Sequence, residues 1–215
     1  MYNRLKKTRE YLQFNKIILL LTLSDIFTWT PFFAVSSLIG IYFANKFGAN
    51  ALTVVGIGSG IVAIARSAFQ IPIGAAIDKM KGDHDEILIL IIGNILMGIP
   101  FIFYPLILST TPYYILQFIF GLGCALNLVT WRKLFVGNVD KEKVGLEYAI
   151  YDTILSLGTA ITSVLVGVIA NINEFYFSLL MLTIGFIMLG STIWVALIYI
   201  VQKNRLKATF KRDVA

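Results

Sequence analysis

The chain has 215 residues, of which 58% are hydrophobic and 14% charged, and its mean hydropathy is +0.81. A water-facing surface of ordinary polarity needs about twice that share of charge, which excludes a soluble enzyme or a nucleic-acid-binding domain. It does so despite a net charge of +6 from 18 Lys and Arg against 12 Asp and Glu.

The N-terminal MYNRLKKTRE is basic, but the apolar stretch behind it is too long for a signal-peptide core and has no A-x-A cleavage site, so it reads as retained. A helix that crosses a bilayer needs roughly 20 mostly apolar residues. Six stretches qualify, at about 17–43, 51–77, 87–108, 113–135, 148–170 and 175–201. The chain reads as an all-α integral membrane protein, a single six-helix domain over 1–215. Its short connections make successive helices antiparallel. The bilayer is its first partner.

Lys and Arg in the connections set the orientation. Arg4, Lys6, Lys7, Arg9, Lys16, Lys79, Lys81, Arg132, Lys133, Lys141, Lys143, Lys203, Arg205, Lys207, Lys211 and Arg212 fall on one side. Lys46 falls on the other, and Arg66 lies within a span. Both termini are therefore expected in the cytoplasm, with the chain in the cell membrane. The basic charge marks topology, not nucleic acid.

An ionisable residue inside a span is costly and marks a functional hypothesis. In the first span Asp25 shares a helical face with Thr28 and Trp29, and Pro31 is expected to kink the helix. In the second, Arg66 shares a face with Ser59 and Gln70. Similar depth lets Asp25 and Arg66 pair, and three readings stay open: a structural ion pair, a substrate or proton-coupling role, or no contact. Asp152 is the third embedded charge. Gly56 and Gly60 form a G-x-x-x-G, and Gly158, Thr162 and Gly167 add small surface in the fifth span, so the second and fifth spans read as contact helices. In the fourth, Gln117, Gly121, Cys124, Asn127 and Trp131 suit cavity lining or helix packing equally. The third and sixth spans read as lipid-facing, Asn94 apart. One Cys and one His, His84, give neither an intramolecular disulfide nor a Cys/His metal site, and no metal or cofactor is expected.

The turn after the second span reads Gly74-Ala75-Ala76-Ile77-Asp78-Lys79-Met80-Lys81-Gly82-Asp83. It resembles motif A of the major facilitator superfamily, G-x-x-x-D-R/K-x-G-R-R/K, through Gly74, Asp78 and Lys79, and departs from it at Met80-Lys81-Gly82. Gln117 to Gly123 resembles motif B, R-x-x-x-G-x-G, with Gln117 at the arginine position. The fifth span lacks the G-P of motif C. The resemblance covers nearly the whole chain. It implies one six-helix half of such a transporter, a 3+3 inverted repeat, with no catalytic chemistry.

That resemblance further implies first and fourth spans lining a cavity, second and fifth at an interface, and a parallel homodimer moving a small solute by alternating access. The departures from motifs B and C point to uniport or symport. Asp25, Thr28, Trp29, Arg66, Gln70, Gln117, Asn127 and Trp131 become the expected pathway. Gly74, Asp78, Lys79, Lys81, Arg132, Glu147 and Asp152 become the expected cytoplasmic gate, closed by an Asp78–Arg132 pair. Two alternatives stay open: a half that needs a different six-helix partner, and a non-transporting scaffold or lipid-interacting protein.

Overall fold

Asn15 starts the first helix. Its side-chain oxygen accepts from the Ile17 backbone N–H at 3.1 Å, and its amide donates to the Asn138 carbonyl at 2.8 Å. The cap thus also ties the start of α1 (Lys16–Ser36) to the end of a later helix. The computed structural model describes residues 15–80 and 83–213, and side chains within 15–80 and 85–203. Lys81 of the expected gate and the basic residues before Asn15 lie outside the described residues.

Pro31 sits inside α1, and the helix runs five residues beyond it. The interruption comes at Ser37 and Leu38 instead. There the Ser36 and Ser37 hydroxyls donate to the Phe33 and Ala34 carbonyls at 2.8 and 3.2 Å, bonds that compete with the next helical turn. The chain resumes as α2 (Ile39–Phe47), so the first crossing comes in two pieces and extends past the expected residue 43. Gly48, at φ +58°, is the one positive-φ residue among those described, and it lets the chain reverse into α3 (Ala51–Lys79).

Then follow α4 (Asp83–Phe103), α5 (Thr110–Asn138), α6 (Val144–Ala170) and α7 (Glu174–Asp213). The described residues hold six segments long and apolar enough to cross a membrane, and no strand. At 1.5 Å per residue α7 is about 60 Å long, twice the hydrocarbon thickness, so it extends well beyond the bilayer.

Side by side, the order is α3, α5, α4, α7, α1, α6. Glycines bring these neighbours together. A Cβ on Gly93 of α4 would lie 2.8 Å from the Asn127 backbone nitrogen of α5, and one on Gly121 of α5 would lie 2.7 Å from the Val62 carbonyl of α3. The expected G-x-x-x-G does not act this way: Gly56 and Gly60 face open space, while Gly58 between them packs under the Tyr113 ring. Gly167 also faces open space, and Gly158 meets Thr30.

Because close packing encloses α4 between α5 and α7, the spans left bare are not those expected to face lipid. Half of the α4 span is buried, against 17% for α3 and 6% for α6. The core runs the length of the bundle and ends in rings: Phe43 lies 4.6 Å from Tyr113, and Tyr42 lies 4.8 Å from Phe177, with Phe101 and Tyr104 beside them. Such pairs contribute about 1 kcal/mol each beyond their buried area. They close the end of the bundle opposite the basic residues.

Candidate functional site

A cavity of about 340 Å³ opens between α1, α3, α5 and α6. It is lined by Asp25 and Trp29 of α1, Arg66 of α3, Asn127, Trp131 and Arg132 of α5, and Tyr148 and Tyr151 of α6. α4 and α7 contribute nothing to its wall. Five of the eight expected pathway residues meet here; the first and fourth spans were expected around a cavity, and the second and fifth, expected at an interface, line it as well.

The other three lie elsewhere. Thr28 is fully buried and spends its hydroxyl on the Ser24 carbonyl of its own helix, at 3.0 Å. Gln70 lies on α3 outside the cavity wall. Gln117 lines a smaller hollow of about 190 Å³ with Tyr104 and Tyr113. Phe32 and Phe120, stacked at 5.0 Å, line both spaces and form the partition between them.

Asp25 does not pair with Arg66. It is 2% exposed, and its Oδ2 accepts a hydrogen bond from the Tyr151 hydroxyl at 2.7 Å, while Oδ1 has no partner. Arg66 is exposed at the edge of the cavity. Tyr151 was missed by sequence reasoning. Its signal was the stripe Tyr148, Tyr151, Leu155, which shares one face of α6, whereas the residue singled out, Asp152, lies about 100° around the helix and is exposed.

A second set of bonds holds the tryptophan wall. Trp29 Nε1 donates to Asn127 Oδ1 at 3.2 Å, Asn127 Nδ2 to Asn94 Oδ1 at 2.7 Å, and Asn94 Nδ2 to the Ser24 and Ser191 hydroxyls at 3.0 and 2.8 Å. Asn94 and Asn127 are fully buried, and four helices are joined directly through these two amides. Asn94, set apart in the sequence as the exception in a lipid-facing span, orients Asn127 from behind. Trp131 stacks on Phe135 at 4.8 Å, and its Nε1 has no partner.

At the basic end the partner of Asp78 is Lys133, not Arg132. Lys133 Nζ lies 3.9 Å from Asp78 and 2.7 Å from the buried Glu86, and donates to the Ile77 carbonyl at 2.6 Å. It ties the last turn of α3 to the first turns of α4. A Cβ on Gly74 would lie 3.7 Å from the Val129 side chain, an ordinary contact, and Lys79 is exposed. Glu147 is buried and accepts from the Asp140 backbone N–H at 3.3 Å, which anchors the turn into α6. Arg132 belongs to the cavity.

The arrangement is a hollow among membrane-crossing helices, with one buried carboxylate, two guanidinium groups and aromatic walls. The sequence matches the family model of the Major Facilitator Superfamily over residues 19–214. No curated protein and no solved structure matches the chain.

Proposed function

The chain belongs to the major facilitator superfamily, and on that premise we propose that it moves a small solute by alternating access, as a parallel homodimer. The observation that carries this reading is Arg66. It sits about 1.5 Å from the middle of α3, exposed, on a helix that is almost uncovered. A charge facing lipid at that depth costs about 3 kcal/mol. A second six-helix unit laid over α3 and α6 removes that cost, because it converts the open cavity into a closed, watered passage.

Two copies related by an axis along the membrane normal set α3 of each against α6 of the other. The axis keeps both basic ends on one side, the cytoplasmic side by the positive-inside rule. In this reading Asp25, Trp29, Arg66, Asn127, Trp131 and Arg132 line the pathway. Gly74, Asp78 and Lys79 move with Lys133 at the cytoplasmic end, and the Phe32–Phe120 stack closes the far side. Rocking of the two units breaks one closure and forms the other.

The test is the protein mass in lipid nanodiscs. About 48 kDa, twice the chain mass of 24.0 kDa, is expected, together with solute uptake into proteoliposomes. A single copy, or stoichiometric co-purification of another membrane protein, rejects the homodimer.

A further inference from the structure

Arg66 of α3 and Asp152 of α6 are both exposed within crossing segments, and neither makes an ion pair among the described residues. A charge left bare in hydrocarbon is costly, so each calls for a partner. They are opposite in sign and stand on the two least covered helices. Within one chain they do not meet, because α3 and α6 occupy opposite ends of the row α3, α5, α4, α7, α1, α6.

Their depth suits a contact between two copies. Arg66 lies about 1.5 Å, and Asp152 about 7.5 Å, from the middle of its helix, both toward the basic end. An axis along the membrane normal leaves depth unchanged, so an offset of about 6 Å separates Arg66 of one copy from Asp152 of the other. This is little more than one helical turn, and an arginine side chain extended toward the basic end covers it.

Direction agrees with depth. Arg66 edges the cavity, and Asp152 lies about 40° around α6 from Tyr148 of the cavity wall, so both face the open side that a second copy would cover. The surface beside each charge is small: Gly56, Gly60 and Ala63 on α3, and Ala149, Ser156 and Ala160 on α6, all exposed. Such surfaces let two helices approach closely enough for the short Asp152 side chain to be reached.

We propose that Arg66 of each copy pairs with Asp152 of the other, so that α3 and α6 recognise a second copy of this chain through two equivalent ion pairs. The inference rests on the homodimer reading and names the contact that specifies it. A two-fold interface is self-complementary, so one chain must carry both members of the pair, one on each bare helix.

The experiment measures protein mass in lipid nanodiscs and the recovery of one affinity tag with another from co-expressed chains. Arg66→Asp alone sets two carboxylates at each contact, and Asp152→Arg alone two guanidinium groups, so each is expected to weaken self-association by about tenfold. Co-expressed under different tags, the two variants complement each other, with one contact reversed and the other native. The mixed pair is expected at nearly the wild-type yield. Where either variant fails to insert, Arg66→Gln and Asp152→Asn replace them, and the double variant is expected to dissociate no more readily than either single one, since each removes the same pair.

Charge-reversed variants that self-associate like the wild type, inserted variants whose mixture is not recovered, or additive losses in the neutral variants overturn the proposal and leave the homodimer. Wild-type protein at 24.0 kDa, or bound to another membrane protein, rejects the homodimer and the ion pair with it.

Discussion

The hydroxyl of Tyr151 donates to Oδ2 of Asp25 at 2.7 Å and so joins α6 to α1 across the cavity wall. α6 is otherwise the least buried of the crossing helices. This bond to a buried carboxylate and the packing of the Tyr151 ring on Trp131, at 4.7 Å, hold its rotation. Tyr151→Phe leaves both carboxylate oxygens without a protein partner and is expected to cost about 1–3 kcal/mol. Thermal unfolding in a fixed lipid composition measures it, and an unshifted midpoint would show that the bond does not support the fold.

The Asn94 amide makes three interhelical bonds and Asn127 makes two. At about 0.6 kcal/mol for each such bond in a membrane, Asn94→Ala is expected to cost about 2 kcal/mol and Asn127→Ala about 1 kcal/mol. The order matters more than the values, since Asn94 lies outside the cavity wall and Asn127 is part of it. Equilibrium unfolding of the two variants, compared under one condition, decides the order.

Gly93 and Gly56 look alike in sequence and differ in surroundings. A methyl group on Gly93 meets backbone at 2.8 Å, and one on Gly56 meets nothing within 4 Å. Gly93→Ala is expected to destabilise the bundle by about 1–3 kcal/mol through overpacking. Gly56→Ala is expected to be neutral or stabilising by up to about 1 kcal/mol, the helix-propensity difference. Equal effects in parallel unfolding curves would contradict the packing described.

Lys133 is the partner of a nearly buried carboxylate. Its removal by Lys133→Ala leaves Glu86 unpaired, with an expected cost of about 3 kcal/mol that Glu86→Gln in the same chain should largely restore. Arg132→Ala, one residue away and facing the cavity, should leave stability nearly unchanged and reduce solute affinity. A stability scan paired with a binding titration separates the two neighbours.

The proposed homodimer would set the middle of α3 against the middle of α6 in the second copy. Ile64 and Leu157 are 72% and 61% exposed on those helices. With Cys124→Ser removing the native thiol, Ile64→Cys and Leu157→Cys in one chain are expected to cross-link between copies in native membranes. Ile193→Cys on α7 serves as the comparison and is expected to stay monomeric on a non-reducing gel. Cross-linking through α7 alone would move the interface.

Much of this architecture was legible without coordinates. Lipid offers backbone groups no hydrogen bonds, so a run of twenty apolar residues has one conformational solution, and six runs become six crossings. Charges inside such runs are few because they are costly, and for that reason Asp25 and Arg66 could be named from the sequence, whereas the part that the second and fifth spans take in the cavity wall could not. The break at Ser37 was less visible. Proline is the stronger signal, but the helix breaks after Ser36, where two adjacent serine hydroxyls fold back on the backbone.

Partnership was the part that the sequence by itself did not determine. Successive residues point about 100° apart around a helix, so the rotation of α5 decides whether Arg132 or Lys133 lies beside Asp78, and the rotations of α3 and α6 decide whether Arg66 or Tyr151 reaches Asp25. That rotation is set by close contacts between helices distant in sequence, such as Gly93 against Asn127 and Gly121 against Val62. Hydropathy determined how many helices cross and which carry charge. Only their packing decided which charge meets which partner.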